Sequence, residues 1–147
     1  VTGKSAEEVY QMFNKKSGYL GVSQLSNDSR DINDACDKGH KGALLANKIF
    51  IRRICDFIGQ YYVRLGGCDM IIFSAGIGEN DPRTREKVCE GIHDALGVCI
   101  DNELNYKARG VEQLISTKES KIKVAVIPTD EEVMIARDAY KMCILGK

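Results

Sequence analysis

The sequence predicts a layered α/β domain, because short apolar segments typical of buried strands alternate with segments of helical periodicity. One apolar segment, residues 70–73, runs directly into a turn with two glycines and then into a helical pattern. Another, residues 123–128, is also followed by a helical pattern, and Pro128 marks its end. This alternation favours a mostly parallel sheet covered by helices over a helical bundle or a β-sandwich.

In the first half of the chain, Ser5 and Glu8 have the spacing of a capping box, which predicts a short helix that ends near Gly18. Residues 18–39 are rich in glycine, serine, asparagine and aspartate, and we expect a loop with at most a short helix there. Residues 41–65 carry apolar side chains about every 3.6 positions before a Gly-Gly pair, which predicts the longest helix.

In the second half, the apolar segment 70–73 is expected to be a strand covered on both faces. Asp81 and Pro82 suit the start of the following helix. Short strands are expected at residues 97–100 and 114–117, and a longer one at residues 123–128.

The last helix is expected to begin at a second capping box. Thr129 lies three residues before Glu132, which is the spacing of that motif. Apolar residues then continue the helical period as far as Met142.

The composition of the chain excludes several classes of partner. Its 147 residues, 44% of them hydrophobic, suffice for one domain over residues 1–147. Lysine plus arginine and aspartate plus glutamate number 21 each, so no overall field favours nucleic acid or an anionic membrane. No segment approaches the roughly 20 apolar residues of a membrane span, and the chain start lacks a signal-peptide core. We therefore expect a cytoplasmic protein with neither nucleic acid nor membrane as its partner.

The cysteines and histidines indicate neither a disulfide framework nor a metal centre. The six cysteines form no Cys-x-x-Cys pair, and the chain has only two histidines. We expect reduced, structural thiols, and surface or structural roles for His40 and His93.

The segment Gly76-Ile77-Gly78-Glu79-Asn80 is the clearest candidate for a ligand site. Two glycines at a strand-to-helix turn permit positive φ and let a phosphate lie against bare N–H groups. The same residues would also serve a tight turn without a ligand. The segment lacks the full Gly-x-Gly-x-x-Gly pattern and the P-loop Gly-Lys-(Ser/Thr), so the pattern alone leaves both interpretations open.

Two polar groups are further candidates. In Asp28-Ser29-Arg30, the carboxylate can accept from a ribose or an amino group and the guanidinium can stack on a base or pair with phosphate. An exposed ion pair or turn is the alternative. Glu131 falls in the first turn of a predicted helix, where the helix end favours a carboxylate, and a carboxylate there also suits Mg²⁺.

Three ordered motifs resemble those of the acetate and propionate kinases. Residues 73–80, Phe-Ser-Ala-Gly-Ile-Gly-Glu-Asn, resemble the family's Phe-Thr-(Ala/Gly)-Gly-Ile-Gly-Glu-Asn. Residues 18–31 match a second family segment, and residues 127–137 match a third. The departures are Ser74, where threonine is common, and Asp130, where asparagine is usual and where the added charge bears on metal affinity.

The resemblance implies the C-terminal domain of the acetate and sugar kinase, heat-shock protein and actin superfamily, with its ribonuclease H-like fold. It further implies the ATP-binding half of an acetate kinase, without the N-terminal half that carries the acceptor pocket and the catalytic side chains. The whole enzyme would transfer a phosphoryl group reversibly from ATP to acetate, giving acetyl phosphate and ADP. A propionate or butyrate kinase, and a non-catalytic nucleotide-binding or dimerisation module, are the alternatives.

The resemblance also implies roles for single residues. Glu131 would be associated with Mg²⁺, and no residue of this chain would be catalytic. Acetate or another short-chain carboxylate would bind in the missing half, and the chain would form a homodimer. The ATP or ADP contacts would be Asp28, Ser29, Arg30, Gly76, Ile77, Gly78, Glu79 and Asn80.

Overall fold

The computed structural model describes residues 3–145 and separates the chain into two compact units. The first, here called the helical unit, comprises residues 1–68 and 90–95. The second, here called the sheet unit, comprises residues 69–89 and 96–147. Such a division does not decide the number of domains, so one domain over residues 1–147 stays a prediction.

The helical unit confirms both helices that capping and periodicity predicted. Ser5 and Glu8 form the reciprocal capping box, and Gly66, at a φ of 71°, ends the longest helix. The imidazole of His40 caps that helix by accepting from the amide of Ala43. The helices of this unit are α1 (Ala6–Lys15), α2 (Gly18–Ser23), α3 (Ser29–Asp37) and α4 (Lys41–Leu65).

The expectation of a loop at residues 18–39 was wrong, because α2 and α3 occupy most of it. The carboxylate of Asp28 caps α3 by accepting from the amide of Arg30 at 2.8 Å. Only a few apolar side chains hold α3 in place: Ile32 and Ala35 are buried together with Ala43 of α4. So few apolar residues, surrounded by polar ones, do not produce a recognisable helical periodicity in the sequence.

The sheet unit combines a three-stranded sheet with helices, which is the mixed α/β class that the sequence predicted. The strand order is β1-β3-β2, with β1 parallel and β2 antiparallel to β3. Its elements are β1 (Met70–Phe73), α5 (Ala75–Asn80), α6 (Pro82–Leu96), α7 (Asn102–Lys107), β2 (Gln113–Leu114), β3 (Lys123–Val126), α8 (Glu131–Tyr140) and a π-helical turn (Lys141–Leu145). Residues 90–95 of α6 are counted with the helical unit.

Two of the predicted short strands are reduced in the structure. Residues 97–100 contribute only an isolated bridge between Ile100 and Ser116, and the strand expected at residues 114–117 lies at Gln113–Leu114. Asp81 caps α6 as predicted, accepting from the amides of Arg83 and Thr84. The six cysteines are free thiols, also as predicted.

The prediction that β1 is covered on both faces was wrong. Phe73, Val124 and Val126 are buried on one face of the β1-β3 pair. On the opposite face Ile72 is 52% exposed and Met70 is 40% exposed. A short, unbroken apolar segment therefore predicts a strand, but it does not show whether one face or both faces of that strand are buried.

The core of the sheet unit contains a fully buried arginine, Arg85. Its guanidinium donates to the main-chain oxygens of Gly78, Glu79, Asn105 and Ala108 at 2.6–3.0 Å. It also donates to the side-chain oxygen of Asn105 at 2.8 Å. Burial lowers the pKa of Arg85 from its ordinary value, but an arginine remains charged at neutral pH. All five of its N–H donors have oxygen partners.

We predict that Arg85→Met lowers the free energy of unfolding by about 3–5 kcal/mol, because it leaves buried carbonyl oxygens without donors. Urea denaturation followed by circular dichroism measures the change. Lys87→Met is the matched control, since Lys87 is an exposed cation on the same helix. Equal stability of the two variants would contradict the prediction.

Candidate functional site

The predicted glycine turn is a short helix, α5, that begins directly after β1. The positive φ expected at Gly76 or Gly78 belongs to Ala75, whose φ is 58°. The two glycines have ordinary negative φ, so backbone freedom does not explain them. What explains them is the space around each Cα.

Gly76 and Gly78 differ in that space. A Cβ on Gly78 would lie 3.2 Å from the carbonyl carbon of Phe73, so this glycine permits α5 to pack closely against the end of β1. A Cβ on Gly76 would have no atom within 4 Å, and the residue is exposed. Gly78 therefore serves the fold, whereas Gly76 leaves open main chain against which a ligand can lie.

Glu79 makes a long-range contact in the candidate segment. One oxygen of its carboxylate accepts from the amide of Thr129 at 2.8 Å and from the Thr129 hydroxyl at 3.0 Å. The Thr129 amide is the main cause that holds the pKa of Glu79 below its ordinary 4.5, and the hydroxyl and the amide of Ala75 lower it further. The structure thus joins the candidate segment to the chain just before α8.

The remaining side chains of the segment are less available to a ligand than its main chain. Asn80 donates to the carbonyl oxygen of Gly76 at 3.1 Å, and Ile77 is half-buried. The carbonyl oxygens of Gly78 and Glu79 are held by Arg85. The main chain around Gly76 is therefore the accessible part of the segment.

Sequence reasoning missed Arg85 as the support of this segment. One signal was present: Arg85, Val88 and Ile92 have the spacing of one helix face, and Val88 and Ile92 are apolar residues that the structure buries. An arginine on the same helix face as buried apolar residues has two explanations. Either that part of the face is exposed, or the guanidinium is buried and donates to several acceptors. The sequence does not reveal the acceptors, which come from two separate segments, residues 78–79 and residues 105–108.

Asp28 and Arg30 lie in the helical unit and form the ion pair that the sequence left as an alternative. The carboxylate of Asp28 accepts from the Arg30 Nε at 3.0 Å as well as from its amide. These contacts lower the pKa of Asp28 to about 2. The Arg30 side chain is 87% exposed, and Ser29 is the first residue of α3. Their contact with a nucleotide stays a prediction.

Glu131 is the first residue of α8, but the predicted capping box of Thr129 and Glu132 was wrong. The cap is Asp130, which accepts from the amide of Val133 at 2.9 Å, because Thr129 is engaged by Glu79. Asp130 therefore has a structural role beside the proposed metal ligand.

The described residues hold no group of three or more histidine, cysteine, aspartate or glutamate side chains that could share a metal ion. The side chain of Glu131 makes no hydrogen bond or ion pair within residues 3–145. One free carboxylate fits Mg²⁺ when nucleotide phosphates and waters complete the coordination, since Mg²⁺ usually binds in that way. It does not fit a metal held by the protein alone.

Comparisons with known proteins agree with this geometry. A sequence profile of the acetokinase family matches residues 1–137. The chain is 51% identical over 140 residues to an acetate kinase of Pseudothermotoga lettingae, covering 95% of this chain and 34% of that protein. The crystal structure of Porphyromonas gingivalis acetate kinase superposes with a TM-score of 0.84 at 45% identity, covering 97% of this chain and 35% of that one. A propionate kinase of Francisella tularensis gives a TM-score of 0.81 at 35% identity, covering 92% and 34%.

The chain therefore belongs to the acetokinase family and has the fold of the acetate and propionate kinases. It spans about a third of the length of the relatives that it matches.

We predict that the Asp28 carboxyl titrates near pH 2 and that Arg30→Ala moves its midpoint toward the ordinary 3.8. Because the folded-state pKa is the lower one, the pair stabilises the fold above pH 3.8 and loses this effect as pH falls toward 2. Carbon-detected NMR titration of the carboxyl measures both midpoints. A midpoint near 3.8 in the unaltered chain would contradict the ion pair.

Proposed function

We propose that this chain is the C-terminal, nucleotide-binding part of an acetate kinase, and that the whole protein transfers a phosphoryl group reversibly between ATP and acetate. Family membership supports the reaction class. The observation that carries the site is Gly76, an exposed glycine with open space around its Cα, within a segment that resembles the family's nucleotide motif.

In this proposal the main chain around Gly76 lies along the phosphates of ATP or ADP, and Arg30 contacts the base or a phosphate. Glu131 would hold Mg²⁺ together with phosphate oxygens, and the ion would neutralise charge on the transferring group. Phosphoryl transfer depends mainly on positioning and on charge stabilisation. The rest of the protein would supply the carboxylate pocket and the side chains that contact the transferring group.

A propionate or butyrate kinase is the second candidate. It is favoured by the match to the Francisella tularensis propionate kinase, which has the same fold. The residues that select the acyl chain would lie outside this chain. A non-catalytic nucleotide-binding or dimerisation module describes the chain if the whole protein lacks transferase activity.

The proposed location is the cytoplasm. Free thiols fit a reducing compartment, and within residues 3–145 the structure has no helix with the length and apolar character needed to cross a membrane.

We predict that the chain binds ATP and ADP in preference to inorganic tripolyphosphate, and that Gly76→Val weakens nucleotide binding about tenfold because a branched side chain fills the ligand's space. Isothermal titration calorimetry measures the affinities. Gly59→Val is the matched control, since Gly59 is also a helical glycine with open space around its Cα. Equal binding of all three ligands, or equal loss in both variants, would reject the site.

We predict that the chain alone yields no acetyl phosphate from ATP and acetate, because none of its residues matches the family's catalytic motifs. Trapping acetyl phosphate as the hydroxamate detects the product, with a protein-free reaction as the blank. Product above that blank would refute this prediction, whereas the whole protein should give a clear signal.

We further propose that the protein forms a homodimer through the helical unit. Large apolar side chains on α4 are exposed, among them Phe57, Tyr61 and Val63 at 45%, 61% and 78%. An obligate dimer usually buries about 2,000 Å² or more and survives dilution. Light scattering at low micromolar concentration should give twice the mass of one chain, and the mass of a single chain would reject the dimer.

A further inference from the structure

We propose that Glu79 is a positioning residue that ties the candidate segment to the start of α8, and not a nucleotide contact. The proposal rests on the proposed function, because it explains how the nucleotide-binding segment is held at a fixed position relative to Glu131, the proposed Mg²⁺ ligand. The observation behind it is the double hydrogen bond from Thr129 to a single oxygen of the Glu79 carboxylate.

The two partners are 50 residues apart in sequence. Glu79 lies in α5, which follows β1, and Thr129 follows β3, so the contact continues the connection between these segments beyond the ends of the paired strands. The amide and the hydroxyl of Thr129 both donate to the same carboxylate oxygen, at 2.8 and 3.0 Å. Hydrogen bonds to an ionised acceptor are roughly twice as strong as neutral ones. The two bonds fix the orientation of the carboxylate toward Thr129, and its negative charge opposes a phosphate.

Glu79 is also fixed at its main chain. Its carbonyl oxygen accepts from the buried guanidinium of Arg85 at 3.0 Å. Exposed ion pairs and hydrogen bonds often contribute little, because both side chains must be ordered to form them. Here one end of Glu79 is already ordered by the core of the sheet unit, so the side-chain contact loses less conformational entropy.

The partner of Glu79, Thr129, lies directly before the start of α8. Thr129 immediately precedes Asp130, the residue that caps α8, and Glu131 is the first residue of that helix. The Glu131 side chain has no hydrogen bond or ion pair of its own within the described chain. Its position relative to Gly76 is therefore determined by the backbone, and the contact between Glu79 and Thr129 fixes that backbone.

A positioning role for Glu79 and a direct nucleotide contact predict different effects of Mg²⁺ on nucleotide binding. Loss of a direct contact weakens nucleotide binding with or without Mg²⁺. Loss of a positioning contact leaves metal-free binding intact and raises the Mg²⁺ concentration that is needed for tight binding.

Calorimetry of the whole protein with ADP, in EDTA and across a MgCl₂ series, tests this difference. For Glu79→Ala we expect about a tenfold rise in the half-saturating Mg²⁺ concentration, the effect typical of losing a partner that orients a metal ligand. Affinity for ADP in EDTA should change less than about twofold. Glu79→Gln should restore part of the Mg²⁺ response, because an amide oxygen still accepts from Thr129.

Two further variants complete the set. Thr129→Val removes only the hydroxyl donor and should give about a threefold rise in the half-saturating Mg²⁺ concentration. Glu86→Ala is the matched control and should behave like the unaltered protein. Glu86 also accepts two side-chain hydrogen bonds in the sheet unit, but its partners, Asn102 and Tyr106, lie outside the candidate segment.

Hydrogen exchange at the Thr129 amide provides a readout that needs neither ligand nor activity. We expect about tenfold faster exchange in Glu79→Ala and no change in Glu86→Ala. Unchanged exchange, or weaker ADP binding in EDTA, would overturn the positioning role. If the unaltered protein bound no nucleotide, the proposed function would fail, while faster exchange would still support the tie.

Discussion

The buried guanidinium of Arg85 is the interaction on which the sheet unit depends. Short helices leave carbonyl oxygens unpaired at their C-terminal ends, and those groups are costly to bury without donors. Arg85 donates to such groups at the ends of α5 and α7 at the same time. Its positive charge also interacts favourably with both helix ends. One side chain thereby allows two helices of six residues each to pack into a core, although neither would be stable alone.

This constraint explains how an exposed segment is kept rigid. The accessible main chain around Gly76 belongs to a short helix that packs against Phe73 at Gly78 and whose carbonyl oxygens at Gly78 and Glu79 are held by Arg85. A ligand that lies along such a segment meets groups that are already ordered, so binding costs little additional conformational entropy. The two glycines contribute differently to this arrangement, one by leaving its main chain accessible and the other by close packing.

The sequence predicted the elements that depend on local signals. Capping residues and periodicity located α1, α4 and α6, and the apolar segments located β1 and β3. The errors arose where distant contacts decide the outcome. Thr129 fits a capping box with Glu132, but a carboxylate 50 residues away engages it instead. The helix α3 depends on a small apolar face that packs against α4.

In the candidate site, too, the sequence predicted what depends on local signals and missed what depends on distant contacts. Motif resemblance named the segment, but the individual roles within it depend on geometry. Gly76 and Gly78 are indistinguishable in sequence, and only the distance to Phe73 separates them. Arg85 lay outside every motif, because its function comes from acceptors contributed by two segments of the fold, one at α5 and one at α7.

The half-covered sheet has a consequence for association in solution. In the order β1-β3-β2, the outer edge of β1 is unpaired among the described strands, and its exposed face carries Met70 and Ile72. An apolar edge strand is a template for adding a strand of another molecule. Antiparallel pairing of β1 with its own copy closes as a twofold dimer, whereas pairing of β1 with the other edge strand, β2, leaves an edge free on each side and continues to grow. Aggregates with an open-ended distribution of sizes would therefore originate at β1, and a charged residue in place of Ile72 is the natural means to suppress them.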